Sequence, residues 1–138
     1  MKFTWINSFT DSQEKEILAL MKNEWWCNKR TLPDVRKMLA NSSITIGAVE
    51  KNEILVAFAR VLTDYTYKAL IFDVIVKPDY RGKGLGKGII ERILKMPPLS
   101  NVTSFELYCP ENISGFYENI GFKEGTSKLL CFETDAKV

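Results

Sequence analysis

Histidine is missing from all 138 residues, which removes both the commonest general base and the nitrogen ligand that often completes a zinc site with cysteine. Acid and base chemistry falls to Asp, Glu, Tyr, Cys or Lys. Cysteine is scarce too: Cys27, Cys109 and Cys131 are odd in number, far apart and without a CxxC pair. They are expected as reduced thiols in a reducing compartment, with no metal. No apolar run approaches the ~18 residues that span a bilayer, and Met1 to Trp5 carries no apolar signal segment. A cytoplasmic setting without a membrane partner is the expectation. Neither sign of charge is in excess, with 19 Lys and Arg against 17 Asp and Glu, so no nucleic-acid partner is expected, since that would call for a basic stripe.

What is present suits a globular chain. The apolar fraction is 46% and the charged fraction 26%, and the length fits a single domain over residues 1–138. Residues 2–8 read as a strand, Asp11-Ser12-Gln13-Glu14 as a helix start, and the helix is expected to end near Trp25. A second short helix should run from Pro33 to Leu39, followed by a hairpin of 44–49 and 54–62 and a strand over 69–76. After a glycine cluster, Ile89, Ile90, Ile93 and Leu94 recur at helical spacing until Pro97-Pro98 stops them. A strand at 104–109, a short helix at 113–120 and a closing hairpin at 122–132 around Gly125 complete the order. Hairpins with inserted helices argue for a mixed sheet in an α+β or α/β domain.

The glycine cluster is the densest signal. Gly82, Gly84, Gly86 and Gly88 alternate with Arg81, Lys83, Leu85 and Lys87, directly before the apolar helical pattern. A helix N-terminus presents unpaired N–H groups and partial positive charge, and glycines let backbone close around an anion. Arg81, Lys83 and Lys87 add donors enough for several oxygens, which points to a nucleotide-like diphosphate. The spacing fits neither a GxxxxGK[ST] phosphate loop nor a GxGxxG dinucleotide fingerprint, because Lys87 or Ile89 stands where the third glycine belongs. It does fit Arg-x-x-Gly-x-Gly, as Arg81, Gly84 and Gly86.

That loop, preceded by Val76-Lys77-Pro78 and followed later by "GFYENIGF" (Gly115 to Phe122), resembles the GNAT superfamily of acyl-CoA-dependent N-acyltransferases. The resemblance runs the length of the chain. It implies a mostly antiparallel, twisted central sheet of six to seven strands flanked by about four helices. It also implies an N-acetyltransferase that moves an acetyl group from acetyl-CoA to a primary amine by direct attack in a ternary complex. The alternative on the same fold is a non-catalytic acyl-CoA sensor or interaction module. The cofactor-binding positions it implies are Val74, Ile75, Val76, Arg81, Gly82, Lys83, Gly84, Leu85, Gly86, Lys87, Asn112, Phe116 and Tyr117. Val74 to Val76 would offer backbone N–H groups to the oxyanion and the pantetheine arm. Tyr117 matches the family's general acid, against a plain packing role beside Phe116. The family's Asn seven residues before this tyrosine is Pro110 here, and a helix cap is the expected role of Asn112. The family's frequent Glu near the start of the preceding strand is Leu70.

The general base stays open. Asp73 in "IFDVIV" is an expensive carboxylate in a buried strand unless paired or functional; it either accepts the amine proton or pairs with Arg60. Asp64 is a second candidate, with turn chemistry as its other reading. The acceptor, a small-molecule or peptide amine, is expected near Trp25, Trp26, Arg30, Arg60 and Asp64, with at least one tryptophan in the core. A homodimer is compatible with the sequence.

Overall fold

Thr10 accepts a hydrogen bond from the Gln13 N–H at 3.2 Å, while the Gln13 side chain accepts from the Thr10 N–H at 2.9 Å. This reciprocal cap, with Asp11 and Glu14 in the first turn, fixes the start of helix α1 (Asp11–Lys22). Helix α2 (Leu32–Ala40) opens on the Thr31 hydroxyl with Pro33 in its first turn. Around these lie β1 (Phe3–Ile6), β2 (Ile44–Glu50), β3 (Leu55–Thr63), β4 (Lys68–Val76), α3 (Leu85–Leu94), β5 (Ser104–Leu107) and α4 (Glu111–Glu118), with 3-10 turns at Pro78–Tyr80 and Pro97–Leu99.

The computed structural model describes residues 2–51 and 53–136. They form two compact units, one reaching Tyr108 and one beginning at Cys109. The first holds a sheet in the order β1-β2-β3-β4-β5, antiparallel except for the parallel β4–β5 pair. On one face α1 and α2 bury Ile17, Leu20, Met21 and Val35 against Leu55, Phe58 and Ile75. Helix α3 packs on β2, β3 and β4, burying Leu85, Ile89, Ile90 and Ile93. Gly88 lets α3 approach β1 closely, since a Cβ there would lie 3.2 Å from the Trp5 ring, over which the Arg92 guanidinium sits at 4.3 Å.

The architecture is the expected α+β class, but with five strands and four α-helices among the described residues, not six to seven strands. The missing pair is the closing hairpin: residues 122–132 form no ladder, and Leu129, Leu130 and Phe132 are exposed. A short apolar run reads as a strand by composition alone, but without a partner its backbone has nothing to pair with. Helix α1 also stops three residues before Trp25, capped by Asn23. Trp25 and Trp26 therefore lie in the turn segment 23–31 and are 80% and 43% exposed, so neither is core; Cys27 is the residue that turns inward, at 4%.

Candidate active site

Strand β4 carries the defining irregularity. Its register against β3 passes from Phe58↔Ile75 to Arg60↔Phe72, so Asp73 and Val74 together face Ala59 and one residue of β4 is extra. Asp73 takes φ +55°, a left-handed conformation that Asp tolerates better than most residues. A bulge bends its strand, and the parallel pairing with β5 ends at Ile71↔Leu107, immediately before it. Among the described residues, the edge of β4 that faced β5 has no ladder partner from Phe72 to Val76.

Which groups point there follows from alternation. The Lys77 N–H donates to the Val56 carbonyl at 2.7 Å, so Lys77 and Ile75 face β3, while Val76 and Val74 turn their N–H groups to the open edge. The Val76 carbonyl confirms the direction by accepting from Arg81 Nε at 3.2 Å. Ile75 differs from the expectation: its backbone faces β3 and its side chain is buried in the core, leaving Val74 and Val76 as the two donors.

The chain then enters the glycine loop. Gly82 and Gly84 have φ of +77° and +81°, and a Cβ at either would meet nothing within 4 Å. They are glycines for their backbone shape and for open space, not for packing. Gly84 caps α3 without a side-chain bond, and the first turn of α3 holds no acidic residue. The N–H groups of Leu85, Gly86 and Lys87 begin the helix without intrahelical acceptors. Backbone donors, a positive helix end and the cations Lys83 and Lys87 suit a diphosphate. Arg81 is already engaged, its Nη2 lying 2.8 Å from Glu24 Oε1.

Asp73 is not free. Its carboxylate, 5% exposed, meets Arg30 through Nη1 at 2.8 Å and Nη2 at 3.3 Å, and Arg60 through Nε at 2.6 Å. The guanidinium of Arg30 also lies 5.8 Å from the Trp26 ring, and that of Arg60 5.0 Å from the Phe72 ring. Of the two readings of Asp73, the geometry favours pairing, and with Arg30 as well as Arg60. Asp64 performs turn chemistry: one carboxylate oxygen accepts from the N–H groups of Thr66, Tyr67 and Lys68 at 2.8–3.1 Å, and these bonds lower its pKa. Sequence reasoning missed the Arg30–Asp73 pair and the Glu24–Arg81 pair; long-range partners leave no local trace.

In the second unit, α4 places Tyr117 between two aromatic neighbours, Phe116 at 5.0 Å and Phe122 at 6.0 Å, both edge-on. Tyr117 is buried and Phe116 largely exposed. Burial pushes the Tyr117 hydroxyl up to about 12, so it is a protonated donor at neutral pH, well above the ordinary value near 10. Burial also raises the Cys109 thiol, which keeps it from serving as a thiolate nucleophile. Asn112 is not the helix cap. Pro110, with ψ 151°, occupies the N-cap, and Asn112 lies exposed in the first turn.

A family model described as an acetyltransferase (GNAT) domain matches residues 41–124. The chain belongs to the GNAT family of acetyltransferases. Among curated relatives it is similar to the uncharacterised N-acetyltransferase ycf52 of Pyropia yezoensis, 36% identical over 110 residues that span 78% of this chain and 63% of that protein. The ycf52 protein of Porphyra purpurea is 30% identical over 88% of this chain and 71% of its own length. Among solved structures, a protein from Xanthomonas campestris pv. campestris assigned to the GNAT acetyltransferases superposes with a TM-score of 0.77 at 26% identity, over 89% of this chain and 87% of the other.

Proposed function

We propose that this GNAT domain is an acetyl-CoA-dependent N-acetyltransferase that acylates a primary amine by direct attack, residues 1–138 acting as one functional domain. The observation that carries the reading is the continuity of backbone donors in the first unit. The unpaired stretch of β4, with the N–H groups of Val74 and Val76 turned outward, leads within nine residues to the uncapped N-terminus of α3. An extended pantetheine arm can pair with such an edge as an added strand does. The diphosphate then meets the helix end and Lys83 and Lys87.

In the reaction the neutral amine attacks the thioester carbonyl carbon, and the carbonyl oxygen becomes an oxyanion held by backbone N–H groups of β4. The C–S bond breaks as the tetrahedral intermediate collapses. On the family resemblance alone, Tyr117 in its protonated state gives the leaving thiolate a proton, and the amine's excess proton passes to solvent, which returns one to the phenol. Phe116 and Asn112 stand with Tyr117 as cofactor contacts, on the resemblance alone.

Thermal unfolding with acetyl-CoA, CoA, ATP and NAD added separately tests the cradle. A ligand at ~100 times its dissociation constant adds about 2.7 kcal/mol and shifts the midpoint by several degrees in a domain of this size. Acetyl-CoA and CoA should shift it and ATP and NAD should not; no shift with either CoA compound removes the reading. Release of CoA thiol with a polyamine, an arylalkylamine, an aminoglycoside and a lysine peptide then identifies the acceptor class.

A further inference from the structure

We propose that Asp73 is a positioning residue, a latch that ties the segment between α1 and α2 to the bulge of β4 and so fixes the outward N–H groups of Val74 and Val76. Three parts of the chain meet on this one carboxylate. Arg30 comes from segment 23–31, Arg60 from β3 opposite Phe72, and Asp73 from the bulge itself. Oδ2 accepts from both arginines and Oδ1 from Arg30, so both carboxylate oxygens are committed to the contacts that join the three parts. Two cations around one anion leave a net positive charge, and a rigid bidentate fork on the Arg30 side holds the carboxylate in one orientation.

The same segment is anchored at the other end of the open stretch. Glu24 holds Arg81, and Arg81 holds the Val76 carbonyl. Between the anchors Cys27 is sunk into the core, its thiol donating to the Met21 carbonyl at 3.4 Å. One segment thus grips β4 where the bulge begins and where the strand ends. Residue 73 must adopt a left-handed backbone and bring a carboxylate to two guanidinium groups at once, which Asp does and Gly or Asn does only in part.

The inference rests on the acetyl-transfer reading for its consequence in turnover, but not for its consequence in structure. Arg30→Gln, Arg30→Lys, Asp73→Asn and the Asp73→Asn/Arg30→Gln double variant are compared with the wild type by hydrogen exchange of 23–31 and 72–76. Acetylation of the amine found in the acceptor screen is followed across pH 6–9. The latch predicts ~10-fold faster exchange in both segments for Arg30→Gln, with Arg30→Lys intermediate. It also predicts that Arg30→Gln and Asp73→Asn lower kcat and weaken acetyl-CoA binding by similar factors, with the shape of the pH profile unchanged. The double variant should be no worse than the poorer single one. Faster exchange confined to 23–31 overturns the latch. So does a collapse of kcat and loss of the acid limb in Asp73→Asn with Arg30→Gln near wild type, which would make Asp73 the base. If Asp73→Asn fails to fold, the two Arg30 variants decide. If the wild type neither binds acetyl-CoA nor turns over, the acetyl-transfer reading falls while the exchange comparison still judges the latch.

Discussion

A phenol held at about 12 stays protonated at every pH where an acetyl-transfer assay is practical. Tyr117→Phe should therefore lower kcat by about 100-fold, the lower end for loss of a general acid, with little change in acetyl-CoA affinity; unchanged kcat where chemistry limits the rate would remove Tyr117 from the mechanism. No alkaline limb assignable to Tyr117 should appear below pH 10. The sequence singles out Tyr117 because its signal is local, the three residues Phe116-Tyr117-Glu118 at the end of α4 carrying an aromatic-Tyr-Glu pattern. Asp73, a carboxylate inside "IFDVIV", was legible as either a base or the partner of Arg60, and the Arg60 pair is present, while its second partner Arg30, 43 residues away, was not legible. Asn112 misled for a different reason. Pro110 has the fixed φ and the extended ψ that start a helix, so the cap position fell two residues earlier than the Asn suggested.

At the scale of elements, the glycine loop separates into two physical roles. Gly84→Val should weaken acetyl-CoA binding by at least ~10-fold, because it forces a β-branched residue into a left-handed conformation at the helix end. Gly88→Leu should leave that affinity intact and lower stability by about 1–3 kcal/mol, the usual cost of overpacking, by pressing on Trp5; equal loss of affinity in both variants would refute the division. Arg81 gives a sharper test. Glu24 occupies its Nη2, which a phosphate could otherwise take, so Glu24→Gln should tighten acetyl-CoA binding by about 2–5-fold, the range expected for an ion pair, as read by calorimetry, while the Arg81 bond to the Val76 carbonyl stays in place. The loop was readable from sequence because glycine, cation and helical period occur within a dozen residues. The bulge was not, because an extra residue in a strand leaves the run of apolar side chains unbroken, and only the register against β3 reveals it.

For the whole molecule, pH couples to folding through Cys27. Burial raises its thiol from 9.0 to about 11, so the folded state keeps a proton that the unfolded chain releases. Stability from this group is complete below pH 9 and is lost as pH rises toward 11. The unfolding midpoint should fall over that window, and Cys27→Ala should flatten the fall; an identical slope would show that another group titrates. The class of fold and the order of elements were legible from period and punctuation, while the expected final hairpin has no counterpart among the described residues, because pairing is a property of two strands and a sequence shows each run singly.

The bulge has a further consequence for life in a crowded solution. An uncovered sheet edge is a template on which another polypeptide can dock and seed aggregation. Here the five residues from Phe72 to Val76 have no ladder partner on the β5 side among the described residues, and the left-handed turn at Asp73 breaks the even spacing that an incoming strand would have to match. A long peptide is denied a continuous run, while a short, flexible chain of amides and methylenes needs only two well-placed donors. On the proposed reading, the irregularity that readies the edge for a cosubstrate also makes it a poor template for an added strand.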